Sequence, residues 1–245
     1  MKLIKNTYFI SDVHIGATPK DEEEERLRLF INFLRQIENK ASRIFFVGDI
    51  FDFWFEYKQT IPKKYFSILH QMARLADKKI EMHYLAGNHD FYLGNFFNKE
   101  FGMQTYDNEW TGKINNKNFY IIHGDGIAKK DVGYRILKKI IRNKLNIKLF
   151  RLLHPDIGIP FAHFVSGTSR YYTDQIKLFD HTDYIEFAQN RFNEGYDYVV
   201  MGHRHNPLLH KENGKEYINL GDWLFSYSYG LFDGRNLLLK NVLED

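Results

Sequence analysis

The sequence contains no cysteine. Disulfides are therefore excluded, and so is any metal site built on thiolate. A metal bound by this chain must be held by nitrogen and oxygen. The sequence also lacks any apolar run of about 18 residues, the length a membrane-spanning helix needs. Lys2, Lys5 and then Asp12 bring charge into the N-terminus too early for a secretory signal. No internal repeat or low-complexity tract is present. The expectation is a cytoplasmic protein, and 245 residues are enough for one large domain or two small ones with a proper core.

What is present is ordinary for a soluble globular protein in bulk, with 44% hydrophobic and 27% charged residues. Aromatic content is high, with 22 Phe and 16 Tyr, which implies extensive apolar contact surfaces. The formal net charge is only +3, but it is unevenly spread. From Lys129 to Arg151 the chain reads "KKDVGYRILKKIIRNKLNIKLFR", with nine Lys or Arg and one acid, Asp131. "DEEEER", Asp21 to Arg26, is acidic and suits the start of a helix, where carboxylates favour the dipole.

"YFISD" (Tyr8 to Asp12), "RIFFVGD" (Arg43 to Asp49) and "EMHYLAG" (Glu81 to Gly87) are short apolar runs, and they read as buried strands. Between them, Glu22 to Glu38 and Lys63 to Asp77 carry apolar residues at helical spacing. Alternating strand and helix implies parallel pairs joined by right-handed crossovers. The second half differs. "WTGKINNKNFYIIHGD" predicts a hairpin turning near Asn115 and Asn116. "YDYVVMGHRH", "KEYINLGDW" and "FDGRNLLLKNV" predict further strands, with turns at Asn213–Gly214 and Asp233–Gly234. The sum is a mixed α/β layered fold, interrupted by a helical insertion from about Asp131 to Asn193.

Polar residues gather at the strand ends: "DVH" at Asp12 to His14, "GD" at Gly48–Asp49, "GNHD" at Gly87 to Asp90, "HGD" at His123 to Asp125, and "GHRH" at Gly202 to His205. Ligands of open α/β sheets sit outside the carboxyl ends of the strands, so these segments can converge. Asp12 with His14, and His203 with His205, are two residues apart. On extended backbone that spacing directs both side chains to one face. Glycines 48, 87, 124 and 202 permit tight turns beside them. A single histidine at a strand end is more often a hydrogen-bonded structural group than a ligand. Five such ends sharing one donor chemistry argue otherwise. Imidazole, carboxylate and amide oxygen suit Mn²⁺, Fe²⁺ or Zn²⁺ better than Ca²⁺.

The ordered set D-x-H, GD, GNH[DE], H and GHxH resembles the calcineurin-like metallophosphoesterases, and its elements span Asp12 to His205. The resemblance implies a single domain over 1–245, a four-layer α-β-β-α sandwich of two mixed sheets, with the segment 131–193 as a helical cap. It implies two divalent ions, Mn²⁺ first and Fe²⁺ or Zn²⁺ as alternatives. Asp12, His14, Asp49 and His205 would hold one, and Asp49, Asn88, His123 and His203 the other. Two ions sharing a carboxylate activate water for in-line attack on phosphorus. In that scheme His89 serves the leaving group or transition state, and Asp90 orients His89 as carboxylates commonly orient imidazoles.

"GDIFDFW", "GNHDFYLG" and "HGD" followed by "KKDVGYR" are similar to one branch, the UDP-2,3-diacylglucosamine pyrophosphatases of lipid A synthesis. That branch implies cleavage of UDP-2,3-diacylglucosamine to UMP and 2,3-diacylglucosamine 1-phosphate. It also implies substrate contacts from Asn88, His89, Asp131, Tyr134, Ser166 and Arg170. The chain departs from it at His89, where Arg is usual, and at "SGTSRYYT" (Ser166 to Thr173), which replaces a lid rich in serine and lysine. In the insertion, Ile136, Leu137, Ile140, Ile141, Leu145 and Leu149 fall near one face of a basic amphipathic helix. Such a helix can lie on an anionic bilayer or hold acyl chains; equally, it can be an ordinary packed helix with a solvated basic face. The expected partners are the glycolipid nucleotide and an anionic membrane surface, with no obligate nucleic acid and no protein partner. The expected location is the cytoplasmic face of the inner membrane. Two other readings stand beside it: a nucleotide or nucleic-acid phosphodiesterase with the same metals, whose basic patch tracks phosphates, and a non-catalytic scaffold.

Overall fold

The computed structural model describes residues 6–162 and 180–244. Its first half runs β1 (Asn6–Ile10), α1 (Lys20–Ile37), β2 (Ala41–Val47), β3 (Trp54–Phe55), α2 (Phe66–Asp77), β4 (Glu81–Leu85), β5 (Asp90–Tyr92), α3 (Phe96–Phe101) and β6 (Gln104–Tyr106). Then follow β7 (Glu109–Ile114), β8 (Lys117–Ile122), α4 (Val132–Ile141) and α5 (Lys144–Phe150), and helical backbone again at 155–162. The chain closes with α6 (Thr182–Asn193), β9 (Tyr198–Met201), β10 (Leu208–Glu212), β11 (Lys215–Asn219), β12 (Ser228–Phe232) and β13 (Leu237–Asn241).

Two mixed sheets result. One has the order β13-β12-β1-β2-β4-β6, parallel from β1 to β6 with an antiparallel edge pair. The other has the order β10-β11-β9-β8-β7, with β11, β9 and β8 parallel. The period-2 pattern of each strand decides which layer each side chain enters. Tyr8, Ile10, Ile44, Phe46, Met82 and Tyr84 face one way, toward α1, α2 and α3. Phe9, Phe45, Val47 and Leu85 face the other way and meet Phe119, Ile121, Tyr198 and Val200 of the second sheet. Phe9 stacks between Phe45 and Phe119 at 5.4 and 5.9 Å, and burial of each such ring contributes roughly 1.5–3 kcal/mol. On the far side, Tyr120, Val199 and Met201 pack under Tyr184, Ala188 and Phe192 of α6. The chain is therefore an α-β-β-α sandwich of four layers.

The hairpin expected at Asn115 and Asn116 is present, with both residues at positive φ and β7 paired to β8. The single amphipathic helix expected after Tyr134 is not. It divides at Arg142–Asn143, because Asn143 is extended (φ −66, ψ 131) and its side chain caps α5 by accepting from Leu145 N at 2.9 Å. Apolar contact holds α5 and 155–162: Ile147, Phe150, Ile159 and Ala162 pack on Phe53, Phe55 and Tyr57.

Candidate metal centre

Each motif arrives on a loop that follows a strand, and the loops are stitched to one another. Asp12 N donates to Gly48 O at 3.1 Å, His14 N to Asp49 O at 3.0 Å, and Gly202 N to His123 O at 2.9 Å. Asp12, His14, Asp49, His203 and His205 all have positive φ, between 50 and 68°. The expectation that the Asp12/His14 and His203/His205 pairs converge through extended backbone is therefore corrected. Left-handed backbone turns these residues into one space, a conformation that costs non-glycine residues energy and that surrounding structure must hold in place.

The two carboxylates are split between duties. Asp12 Oδ2 accepts from His203 N at 2.8 Å, and Asp49 Oδ1 accepts from His89 N at 2.8 Å. Their other oxygens point inward. Asp12 Oδ1 lies 3.3 Å from His205 Nε2 and 3.6 Å from His14 Nε2. Asp49 Oδ2 lies 3.3 Å from His123 Nε2 and 3.8 Å from His14 Nε2. Asn88 Oδ1 stands 3.1 Å from His123 Nε2 and 2.8 Å from His203 Nδ1. The structure thus brings together all seven residues expected as ligands. Among the described residues, Asp12–His14–His205, Asp12–Asp49–His123 and His14–Asp49–His89 each gather donor atoms within 4.8 Å of one another.

The donor set fits divalent cations. His123 Nδ1 donates to the Val47 carbonyl at 2.8 Å, so in the neutral ring Nε2 is a lone pair facing two acceptor oxygens. His205 Nδ1 donates to Asp222 Oδ2 at 3.1 Å, with the same consequence for its Nε2. Asp12 Oδ1 is buried and has no hydrogen-bond partner of acceptable geometry. Converging lone pairs around an orphaned carboxylate oxygen call for positive charge, and only protons supply it without metal. Burial works against charged rings here, yet Asp49 and Asp12 hold His123 up at about 10, and Asp12 and Asp222 do the same for His205. Burial pushes His14 down to about 4; His203, buried and beside the charged His123, also falls to about 4. Burial would raise both carboxylates, but the imidazoles, His123 first, pull Asp12 and Asp49 far below the usual range.

His89 is buried at the edge of this cluster, its ring perpendicular to His14 with centroids 4.8 Å apart. Its Nδ1 donates to the Asp52 carbonyl at 2.6 Å. The expected orienting role of Asp90 is corrected: Asp90 does not reach the His89 ring. Asp90 Oδ2 accepts from Asp49 N (2.9 Å) and Gly87 N (3.0 Å), and Oδ1 accepts from Tyr84 OH (2.8 Å). It braces the loops that carry Asp49 and Asn88. Burial and the nearby Asp49 raise its carboxyl to about 7.

Of the other expected substrate contacts, Asp131 precedes α4 without capping it by side chain. Tyr134 OH donates to Asp125 Oδ2 at 2.5 Å. Ser166 and Arg170 lie outside the described residues. Two further neighbours of the centre lie outside the expected set. Asp222 orients His205 and also accepts from Phe225 N and Ser226 N. Its segment, "INLGD", repeats the apolar-run-then-GD signature of "FVGD" and could have been found by it. Asp52, within "GDIFDFW", holds His89 through its backbone carbonyl, with its carboxylate 3.8 Å from the same Nδ1.

A family model described as calcineurin-like phosphoesterase matches residues 5–207. The chain is 29% identical over 253 residues to a UDP-2,3-diacylglucosamine hydrolase of Porphyromonas gingivalis, covering 96% of this chain and 97% of that protein. It is 27% identical to one from Haemophilus influenzae, covering 92% and 93%. It is 29% identical to one from Neisseria meningitidis, covering 92% of both.

Proposed function

The chain belongs to the calcineurin-like phosphoesterase family, and on that premise we propose that it hydrolyses the pyrophosphate of UDP-2,3-diacylglucosamine to UMP and 2,3-diacylglucosamine 1-phosphate. The observation that carries the reading is a juxtaposition. A seven-donor N/O centre adjoins an element that turns apolar side chains outward. Ten of the fourteen exposed large apolar residues among those described fall between Val132 and Phe161, Ile136 (57%) and Ile140 (54%) among them.

Asp12, His14, Asp49 and His205 would hold one divalent ion, and Asp49, Asn88, His123 and His203 the second. Mn²⁺ is the first candidate by family resemblance, with Fe²⁺ and Zn²⁺ as alternatives that this ligand set would bind more tightly, so metal availability decides between them. When bound, the ions lower the pKa of water and neutralise charge on the phosphoryl oxygens. The chain's own groups do the rest. With Nδ1–H held by the Asp52 carbonyl, His89 meets the substrate only through Nε2; in its imidazolium form it donates the Nε2 proton to the departing oxygen and is left as the neutral Nδ1–H ring. Asn88 is its neighbour on the same loop. Tyr134, whose proton is committed to Asp125, offers the sugar its ring and oxygen lone pairs, and Asp131 offers a carboxylate. The outward Ile/Leu surface of α4 and α5 receives acyl chains, where each buried methylene contributes about 0.8 kcal/mol. No described helix is long and apolar enough to cross a membrane. Peripheral contact with an anionic bilayer uses this same surface, flanked by the exposed Lys139, Lys144 and Lys148.

The test is an assay panel on protein reconstituted with Mn²⁺: UDP-2,3-diacylglucosamine, UDP-glucosamine without acyl chains, bis-p-nitrophenyl phosphate and single-stranded DNA. The diacylated sugar nucleotide should be cleaved with the highest kcat/KM. Preference for the unacylated sugar would remove the lipid assignment and keep the enzyme class. Preference for DNA would replace the substrate class altogether.

A further inference from the structure

Helix α4 is inside out. Val132, Ile136, Leu137 and Ile140 are 42–57% exposed, and no residue of the helix is buried. A helix normally gains most of its stability by burying an apolar face. Here the inward stripe is polar instead: Tyr134, Lys138 and Arg142 follow one another at i, i+4 and i+8 and so share a face. Lys138 Nζ and Tyr134 OH converge on Asp125 Oδ2, at 2.6 and 2.5 Å. The Asp125 side chain is 2% exposed and lies two residues beyond His123. One turn on, Arg142 Nη2 donates to the Gly87 carbonyl at 2.7 Å, and Nη1 to Asp107 O at 2.6 Å. Gly87 directly precedes Asn88, and Asp90 already pins its N–H. The two ends of α4 are thus fastened to the two loops that carry His123 and Asn88.

We propose that Lys138 and Arg142 are positioning residues that fix the apolar face of α4 in register with the metal centre and so set the preference for acylated over small phosphoesters. The selectivity half rests on the substrate reading above; the clamp does not. Charge on this helix then has a double use. Lys138 and Arg142 bind the body of the protein, while Lys139 on the same helix remains at the surface. Neither clamp residue touches the seven donors, so removing one leaves the chemistry in place and lets the helix drift. Displacement of about 1 Å in a positioning element can cost on the order of 100-fold in rate.

The experiment uses the full-length, Mn²⁺-loaded protein with Lys138→Met and Arg142→Ala, made singly: the two residues are one turn apart on α4 but hold different loops, so either can stand if the other fails to fold. Three quantities are read: bound metal per chain, amide hydrogen exchange over residues 132–150, and the ratio of kcat/KM for the diacylated UDP-sugar to that for bis-p-nitrophenyl phosphate. Metal content should stay at the wild-type level, exchange should rise over 132–150 alone, and the ratio should fall roughly tenfold or more. Arg142→Lys, which keeps one donor, should recover part of both effects. Unchanged exchange overturns the clamp, and a fallen ratio with unchanged exchange would assign the residues to direct substrate contact instead. Faster exchange with an unchanged ratio overturns the selectivity claim. If wild type does not cleave the diacylated sugar, the substrate reading fails while the exchange arm still decides the clamp.

Discussion

At the scale of single residues, the centre is built from groups with one atom tied and one atom free. Asp12 and Asp49 each give one oxygen to a backbone N–H and aim the other inward. His123 and His205 each anchor Nδ1 and leave Nε2. The same grammar makes His89 a separate case. Its Nδ1 is anchored to Asp52 O and its ring stands perpendicular to that of His14, but it belongs to neither of the two expected ligand sets. Replacing it should therefore harm turnover and spare metal. His89→Ala is expected to lower kcat by about 10²–10⁴-fold, the usual contribution of an acid at the leaving group. Metal content by elemental analysis should match wild type. His89→Arg should restore part of the rate, since a guanidinium can supply positive charge there without a titratable proton. A His89→Ala protein that loses half its metal would instead make this imidazole a ligand.

At the scale of elements, the strands were legible and their surroundings less so. Each strand-end motif is a local pattern of apolar run, glycine and polar donor, and a sequence shows local patterns directly. The break between α4 and α5 was harder, because apolar spacing continues smoothly through Asn143 and only its capping side chain ends the helix. Asp222 was hidden by distance, since the β10–β11 hairpin carries it back to His205. Asp90 departs from its expected role for a related reason. Adjacency to His89 suggested contact, but its carboxylate points into the loop bases. Those bases tolerate no added bulk. A Cβ at Gly87 would stand 2.1 Å from Asp49 Oδ1, whereas one at Gly133, in α4, would meet nothing within 4 Å. Gly87→Ala should displace Asp49, reduce bound metal and lower Tm. Gly133→Ala should leave metal unchanged and hold or slightly raise Tm, as replacing a helical glycine can add up to about 1 kcal/mol. Equal behaviour of the two variants, by calorimetry and metal analysis, would mean that the loop is looser than its contacts indicate.

At the scale of the whole molecule, the sandwich has a division of labour. Two sheets pressed together by Phe9, Phe45 and Phe119 supply a rigid floor. The loops at one end carry the donors, and α4 and α5 stand beside them with apolar residues outward. Under the proposed function, hydrolysis and substrate choice fall to different parts of one chain. The claim at the centre of this scheme is that the seven donors form a two-ion site that powers pyrophosphate cleavage. It is tested most directly by stripping the protein with chelator, titrating Mn²⁺ back, and following bound metal and UMP release from UDP-2,3-diacylglucosamine on the same samples. UMP and 2,3-diacylglucosamine 1-phosphate should appear in equal amounts, with the rate saturating as occupancy reaches about two ions per chain. A folded protein that fills with metal and releases no UMP, or one that releases UMP at full rate while metal-free, would contradict it.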